Sequence, residues 1–297
     1  MTPLGLFSGG FLIVAGAALC WAAAGSSRVL HPVQLLLPAV PSDLGLAWEP
    51  VHFPAADGTP VSAWLIRHPQ PAGLLLMFHG FGSSKADLLD VAAALHRAGR
   101  FSALLMDFRG HGQSGRAEVT FGLRELQEIE AALRLAASDP GLKGLPVGCW
   151  GVSMGGAIAL LAAARFPRIL GTVADSAYAD AGKAIARAQW LTYHIPRFPL
   201  GQFVIWAIEF RLRCRLFALN PVQAAERIGP RALFLIHGGR DETIPHEEGL
   251  ALYRAAREPK RWWLIPEAEH ASCFYERTEE YVQKVTEFFR DAFLRAS

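Results

Sequence analysis

Six short, nearly uninterrupted apolar runs punctuate the chain: "GLLLMFHG" (73–80), "FSALLMDF" (101–108), "LPVGCWG" (145–151), "LGTVADS" (170–176), "ALFLIHG" (232–238) and "RWWLIPE" (261–267). Continuous apolar runs of this length are the pattern of strands covered on both faces, since neither face meets water. Between them the period changes. Leu126, Ile129, Leu133 and Ala136 recur at i, i+3, i+7 and i+10, and Val282, Val285, Phe289 and Phe293 follow one face near the C-terminus, which predicts amphipathic helices. Strands alternating with helices build a mostly parallel, doubly wound α/β sheet. Ahead of it, "VHFPAADGTPVSAWLIRHP" predicts an antiparallel hairpin that turns at Asp57-Gly58. No internal repeat and no low-complexity tract interrupts the rhythm.

Two segments depart from it. From Leu4 to Gly25 the chain carries no charge, and a helix of roughly 20 residues, at about 1.5 Å each, spans a hydrocarbon core of about 30 Å. Residues 1–28 are therefore expected to form one N-terminal transmembrane helix, a single membrane anchor. A cleaved signal peptide is the alternative, because Ala22 and Ala24 form an A-x-A site, although no Lys or Arg precedes the segment. Arg28, just after it, favours a cytoplasmic catalytic domain by the positive-inside tendency, on one cation alone. Residues 29–50, proline-rich and aperiodic, predict a linker, which leaves 51–297 as the folded domain. The second departure lies between about 177 and 228, too long for one crossover helix, and predicts a cap inserted after the sixth strand. Its Phe203, Trp206, Ile208, Phe210, Leu212, Leu216 and Phe217 have three conceivable uses: to line an acyl pocket, to touch a membrane, or to pack down on the core. The third is the commonest fate of apolar helix faces.

Composition narrows the classes. With 297 residues, 52% apolar and 19% charged, the chain has material for a large α/β domain and is not disordered. A net charge of +2 without any run of like charges speaks against a nucleic-acid partner. Cys20, Cys149, Cys214 and Cys273 lie far apart, outside C-x-x-C or C-x-x-H spacing, so neither a disulfide framework nor a zinc site is expected, and no cofactor or metal is called for. "GHGQSG" (110–115) formally matches the dinucleotide fingerprint G-x-G-x-x-G, but loop-like "RAEVTFG" follows where a helix should open.

In an open α/β sheet, ligands gather at the carboxyl ends of the strands. "GVSMG" follows the fifth strand and matches the nucleophile elbow G-x-S-x-G, which lifts Ser153 clear on a strained turn. A serine needs a base and an orienting acid to become a nucleophile. Asp241 follows "ALFLIHGG" and His270 follows "WWLIPEAE", so that serine, acid and base come in the order this kind of sheet uses. Oxyanion donors are expected from the backbone N–H of Phe81, or a neighbour in "HGFGSS", and of Met154. Asp175 is an alternative acid, His111 and His246 are lesser rivals for the base, His79 reads as a loop-shaping residue and Glu242 as solvent-facing.

Taken in order, "HGFGSSK", "DFRGHGQSG", "GVSMGGAIAL", "HGGRDETIP" and "PEAEHAS" resemble the α/β-hydrolase superfamily of serine hydrolases, from about Val51 to the C-terminus. Within it the chain looks most like membrane-anchored esterases and lysophospholipase-like hydrolases, whose animal and fungal relatives include protein depalmitoylases. The resemblance implies an α/β-hydrolase fold and a triad of Ser153, Asp241 and His270, with oxyanion amides at Phe81 and Met154. It also implies hydrolysis of carboxylic esters or thioesters of small or lipid-like acyl groups through an acyl-enzyme. A peptidase on the same triad and a catalytically silent, membrane-tethered binding protein are the alternatives. The cap fits no familiar pattern, so the sequence names no substrate-binding residue.

Overall fold

The computed structural model describes residues 3–34 and 37–295, with the side chains of the first helix described from Gly16 onward. Its strands are β1 (Glu49–Pro54), β2 (Pro60–Ile66), β3 (Gly73–Phe78), β4 (Phe101–Met106), β5 (Val147–Val152), β6 (Ile169–Asp175), β7 (Ala232–Gly238) and β8 (Lys260–Ile265). They form one sheet in the order β1-β2-β4-β3-β5-β6-β7-β8. The expected hairpin pairs β1 with β2, β2 meets β4 antiparallel, and every later pairing is parallel. This is the mostly parallel sheet with an antiparallel start that the residue pattern predicts, and the α/β-hydrolase arrangement that the resemblance implies.

Helices cover both faces, which is why the central strands read as continuous apolar runs. Leu74, Leu76 and Phe78 of β3 join the core beneath α3 (Glu125–Ser138), α4 (Met154–Arg165), α7 (Pro221–Ile228) and α8 (His246–Ala255). Leu75 and Met77, pointing the other way, join the core beneath α2 (Leu89–Gly99) and the last helix, α10 (Thr278–Leu294), which follows the short α9 (Cys273–Glu276). The predicted helical faces are the buried ones: Ile129, Leu133 and Ala136 in α3, and Val285, Phe289 and Phe293 in α10, with Leu126 and Val282 half-buried at the margins.

Helix α1 (Pro3–Leu30) runs two residues beyond the expected anchor. Among the described residues no helix is long and apolar enough to cross a membrane, and the side chains of residues 4–15, on which the expected span depends, lie outside the described residues. The final turns of α1 pack on the body. Ala22, Ser26 and Leu30, at i, i+4 and i+8, are buried, and a Cβ at Gly25 would stand 2.6 Å from Val204 Cγ2 in α6 (Gln202–Leu212). The start of the expected linker is also fixed: Val119 N–H donates to Leu30 O at 2.9 Å, and Gly112 N–H donates to Gln34 Oε1 at 2.5 Å.

The expected cap holds α5 (Ala181–Tyr193), α6 and α7. Its seven apolar residues divide between two fates. Ile208, Leu212 and Leu216 are buried and Phe203 half-buried, whereas Trp206, Phe210 and Phe217 are 49%, 85% and 70% exposed.

One buried ion pair ties the catalytic edge together. Lys85 Nζ, 3% exposed, meets the fully buried carboxylate of Asp107 and also donates to Gln113 Oε1 at 3.0 Å and Ser62 Oγ at 3.2 Å. Asp107 accepts from the Lys85 N–H at 2.7 Å and the Gln113 N–H at 2.8 Å, which couples the loop after β3 to the loop after β4. Removing one partner of a buried pair strands the other charge, at a cost of about 3–5 kcal/mol. Asp107→Ala should therefore lower the unfolding free energy by about that amount in urea titrations.

Candidate active site

Ser153 stands between β5 and α4 at φ 56°, ψ −119°, a conformation that side-chain-bearing residues rarely adopt. Such an outlier costs about 1–3 kcal/mol and persists only where its surroundings over-determine it. Here the constraint is a close approach. A Cβ at Gly151 would overlap the carbonyl of Gly155, and a Cβ at Gly155 would overlap the carbonyl of Phe78. Glycine at both positions lets the helix start directly against the strand edge, with Ser153 at the apex.

The three residues picked out by their strand ends meet in space. His270 Nε2 lies 2.9 Å from Ser153 Oγ, and His270 Nδ1 lies 2.7 Å from Asp241 Oδ2. A carboxylate only accepts, so Nδ1 carries the proton, and Nε2 is left free to accept from the serine hydroxyl. Asp241 Oδ1 accepts from the Ile244 N–H at 2.7 Å, and His237 Nε2 stands 3.5 Å from Oδ2. Burial pushes the Asp241 carboxyl up, but hydrogen bonds from His237, His270 and Ile244 outweigh it and hold the group below its ordinary value. Asp241 is thus kept as an anion beneath the imidazole.

The alternative acid has other partners. Asp175 accepts from Ser176 Oγ and from Tyr281 Oη, each at 2.9 Å, and Trp150 Nε1 donates to the same Tyr281 oxygen at 2.9 Å. Burial drives its carboxyl pKa upward, the opposite direction from Asp241. Of the rival bases, His246 opens α8 at the surface, 3.8 Å from Glu247. His111 Nε2 accepts from the Gly82 N–H at 3.1 Å, with Nδ1 3.0 Å from Arg109 O, and burial pushes its pKa down to about 3. His79 Nε2 accepts from the Phe108 N–H at 3.0 Å and Nδ1 lies 2.7 Å from Gly80 O, with burial again lowering its pKa. Both rings are neutral struts of the loops after β3 and β4. Glu242 is exposed, and its carbonyl accepts from Arg187.

Phe81 and Met154 flank the serine. A Cβ at Gly80, next to Phe81, would stand 3.5 Å from Ser153 Cβ and 4.0 Å from its Oγ, so this loop borders the nucleophile. Among the described residues neither the Phe81 nor the Met154 N–H donates to a protein acceptor. Two free amides beside a serine are what a developing oxyanion needs. The "GHGQSG" stretch is a tight loop around Asp107, whose carbonyl accepts from Ser114 Oγ at 2.7 Å, and the next helix opens only at Glu125.

Two cavities meet at Ser153 and His270. One, of about 400 Å³, is walled by Trp21, Val29, Phe121, Tyr178, Ile185 and Val204 among others; among the described residues Arg28 is the one permanently charged side chain along it, and no carboxylate lines it. The other, of about 440 Å³, is lined by Leu89, Trp150 and Phe274 together with Asp43, Asp87, Asp90 and Asp175. These acids already have roles. Asp43 accepts from the Val40 N–H at 2.9 Å, Asp87 from the Ser84 N–H at 2.8 Å, and Asp90 from Tyr275 Oη at 3.2 Å. None of the seven cap residues singled out from the sequence lines the apolar cavity, and Val204 of the same helix does. The contribution of α1 went unforeseen. Its signal was the small residues Ala22, Gly25 and Ser26 at helical spacing, a pattern that suits close helix contact.

Residues 69–202 match the profile of the serine aminopeptidase S33 family. YqkD of Bacillus subtilis is 25% identical over 80% of this chain and 77% of its own length, and YfhR of Escherichia coli K12 is 26% identical over 82% and 81%. Among solved structures, an esterase of Pyrococcus furiosus, Pf2001, superposes with a TM-score of 0.76 at 25% identity, covering 89% of this chain and 98% of its own.

The two acids are separable by mutation. Asp241→Asn, which leaves the imidazole in the wrong tautomer, should lower kcat about 10⁴-fold. Asp175→Asn should leave most of kcat and act on stability, a contrast read from steady-state kinetics alongside urea unfolding. The neutral histidines set a second expectation. Below pH 6.5 the unfolded chain binds protons that the folded His79 and His111 refuse, so stability should hold above that pH and fall as the pH drops from 6.5 toward about 3. His111→Gln should flatten part of that fall when unfolding midpoints are measured across the range.

Proposed function

Because this chain belongs to the α/β-hydrolase superfamily, we propose that it is a serine hydrolase of carboxylic esters or thioesters with Ser153 as nucleophile. The observation that carries this reading is the continuous hydrogen-bonded line from Asp241 through His270 to Ser153 Oγ, opening on an apolar cavity without a carboxylate. The esterase identity of the Pyrococcus relative supports it.

In this mechanism the Ser153 oxygen attacks the acyl carbon while His270 Nε2 takes the hydroxyl proton and Asp241 stabilises the resulting imidazolium. The carbonyl oxygen becomes an oxyanion held by the Phe81 and Met154 N–H groups. Collapse breaks the bond to the alcohol or thiol, which leaves with the proton from His270, and the acyl group stays on Ser153. Water, deprotonated by the same nitrogen, then attacks the acyl-enzyme and releases the carboxylic acid, restoring the serine. The apolar cavity suits the acyl chain, since burying each CH2 is worth about 0.8 kcal/mol.

A peptidase on the same triad has one observation in its favour, the match to the serine aminopeptidase profile. Against it stands the chemistry of the apolar cavity, which offers a free ammonium group no carboxylate; the acids of the other cavity are engaged in capping and tyrosine contacts. The same reading has the chain held at a membrane by its apolar residues 4–25. The place of Trp21 and Ala24 in the cavity wall supports a retained helix over a cleaved leader, since cleavage after Ala24 at the A-x-A site would remove both.

Ser153→Ala should lower the turnover of p-nitrophenyl esters by about 10⁶ and abolish labelling by a fluorophosphonate probe. On a series of acyl chains, kcat/KM should rise roughly fourfold per added methylene until the cavity is full. Preference for aminoacyl amides over every ester in that series would sink the ester reading.

A further inference from the structure

Helix α6 is mostly apolar, with Glu209 and Arg211 as the charged residues along it. Val204, Ile208 and Leu212, at i, i+4 and i+8, are buried against the body. On the far side Trp206 and Phe210, at i and i+4, stand 49% and 85% exposed, and Arg213 follows one turn on. A helix with apolar residues on opposite faces belongs in a core or in lipid, and α6 has a core on one side only.

The neighbouring surface is of the same kind. Of the fifteen large apolar side chains exposed among the described residues, ten lie on the last turns of α1 or between 190 and 217. Monomeric surfaces seldom concentrate apolar groups in this way without a partner. Charge follows the same distribution. Between 177 and 218 the chain carries six cations, Lys183, Arg187, Arg197, Arg211, Arg213 and Arg215, and two acids, Asp180 and Glu209; Lys183, Arg211 and Arg215 are ion-paired, with Glu248, Glu118 and Glu209. The side chains of Arg197 and Arg213 are exposed and have no hydrogen-bond or ion-pair partner among the described residues, and Arg213 shares a shallow groove with Trp206, Phe210 and the Arg215–Glu209 pair. Aromatic rings beside these two unpaired cations suit the interface of an anionic bilayer, rings at headgroup depth and cations against phosphates.

Continuity favours lipid as the occupant. Through the Gly25–Val204 contact, α6 lies against α1, whose exposed Leu19 and Trp21 extend the apolar surface toward the uncharged 4–25 stretch. Trp21 and Tyr193, 37% and 56% exposed, also line the apolar cavity, so its mouth opens on this face. We propose that the outer face of α6, with Phe198 and Phe217 beside it, docks on an anionic lipid bilayer and sets the mouth of the apolar cavity against the acyl region of the membrane. The contact depends on neither the triad nor turnover, so its failure would leave the hydrolase reading intact.

The test uses the full chain with Cys20→Ser and Cys214→Ser, and a bimane fluorophore on Phe210→Cys or, as a control, on Lys143→Cys at the amino edge of the sheet. Vesicles of phosphatidylcholine and phosphatidylglycerol carry doxyl-labelled lipid as quencher, and circular dichroism checks that each labelled chain is folded. Bimane at 210 should lose about half its emission, as expected 5–10 Å into the headgroup boundary, and bimane at 143 should lose none. Arg197→Glu with Arg213→Glu, or vesicles of phosphatidylcholine alone, should weaken the quenching at 210. The docking is overturned if bimane at 210 stays bright on chains that float with the vesicles, if 143 is quenched equally, or if the folded chain does not float at all. A dimer in light scattering that Phe210→Ser disperses would assign the face to a second copy and equally overturn it.

Discussion

Everything at this centre depends on how near α4 comes to the carboxyl edge of the sheet. The carbonyls of Phe78 and Gly155 fill the volume that side chains at 155 and 151 would need, so strand and helix touch backbone to backbone. That approach forces Ser153 to φ 56° and aims its oxygen out of the sheet. The strain is held because α4 is anchored well beyond the turn: Ala157, Ile158, Ala162 and Ala163 are wholly buried, so the helix has little room to relax. The acid and base then arrive from β7 and β8, beyond β6 on the same side, and the nucleophile stands at the middle of the edge.

Electrostatics sorts residues that composition alone leaves equivalent. Asp241 and Asp175 both lie at the carboxyl ends of neighbouring strands and both are buried, yet their carboxyl groups are driven in opposite directions. The difference lies in the donors. Asp241 is reached by two imidazoles and a backbone amide, while Asp175 has two neutral hydroxyls. The histidines divide similarly. Burial keeps His79 and His111 neutral while their ring nitrogens meet backbone groups, and His270 alone of the three bonds to a carboxylate.

The sheet was legible in the sequence because fully covered strands leave unbroken apolar runs, and the triad was legible because its members follow three of those runs. Other features left no local trace. Helix α1 carries no charge before Arg28 to mark an outer face, so the stripe of Ala22, Ser26 and Leu30 acquires meaning only once α6 is known to lie against it. The cap residues of α6 resisted division for a related reason: on a helix with apolar residues on opposite faces, period cannot tell Ile208, which is buried, from Phe210, which is not. The hold of Gln34 on the loop at Gly112 joins positions too distant for any window of sequence to connect.

Trp21, Ala24, Gly25 and Val29 belong to a helix outside the sheet, yet they form one wall of the space into which the serine opens. In the proposed reading, selectivity and catalysis are thereby assigned to different parts of the chain. Relatives could keep every residue of the elbow and its acid and base while exchanging the side chains of this one helix, and so diverge in the acyl groups they accept. Conservation of the sheet and triad alone would then be a poor guide to which of them share a substrate.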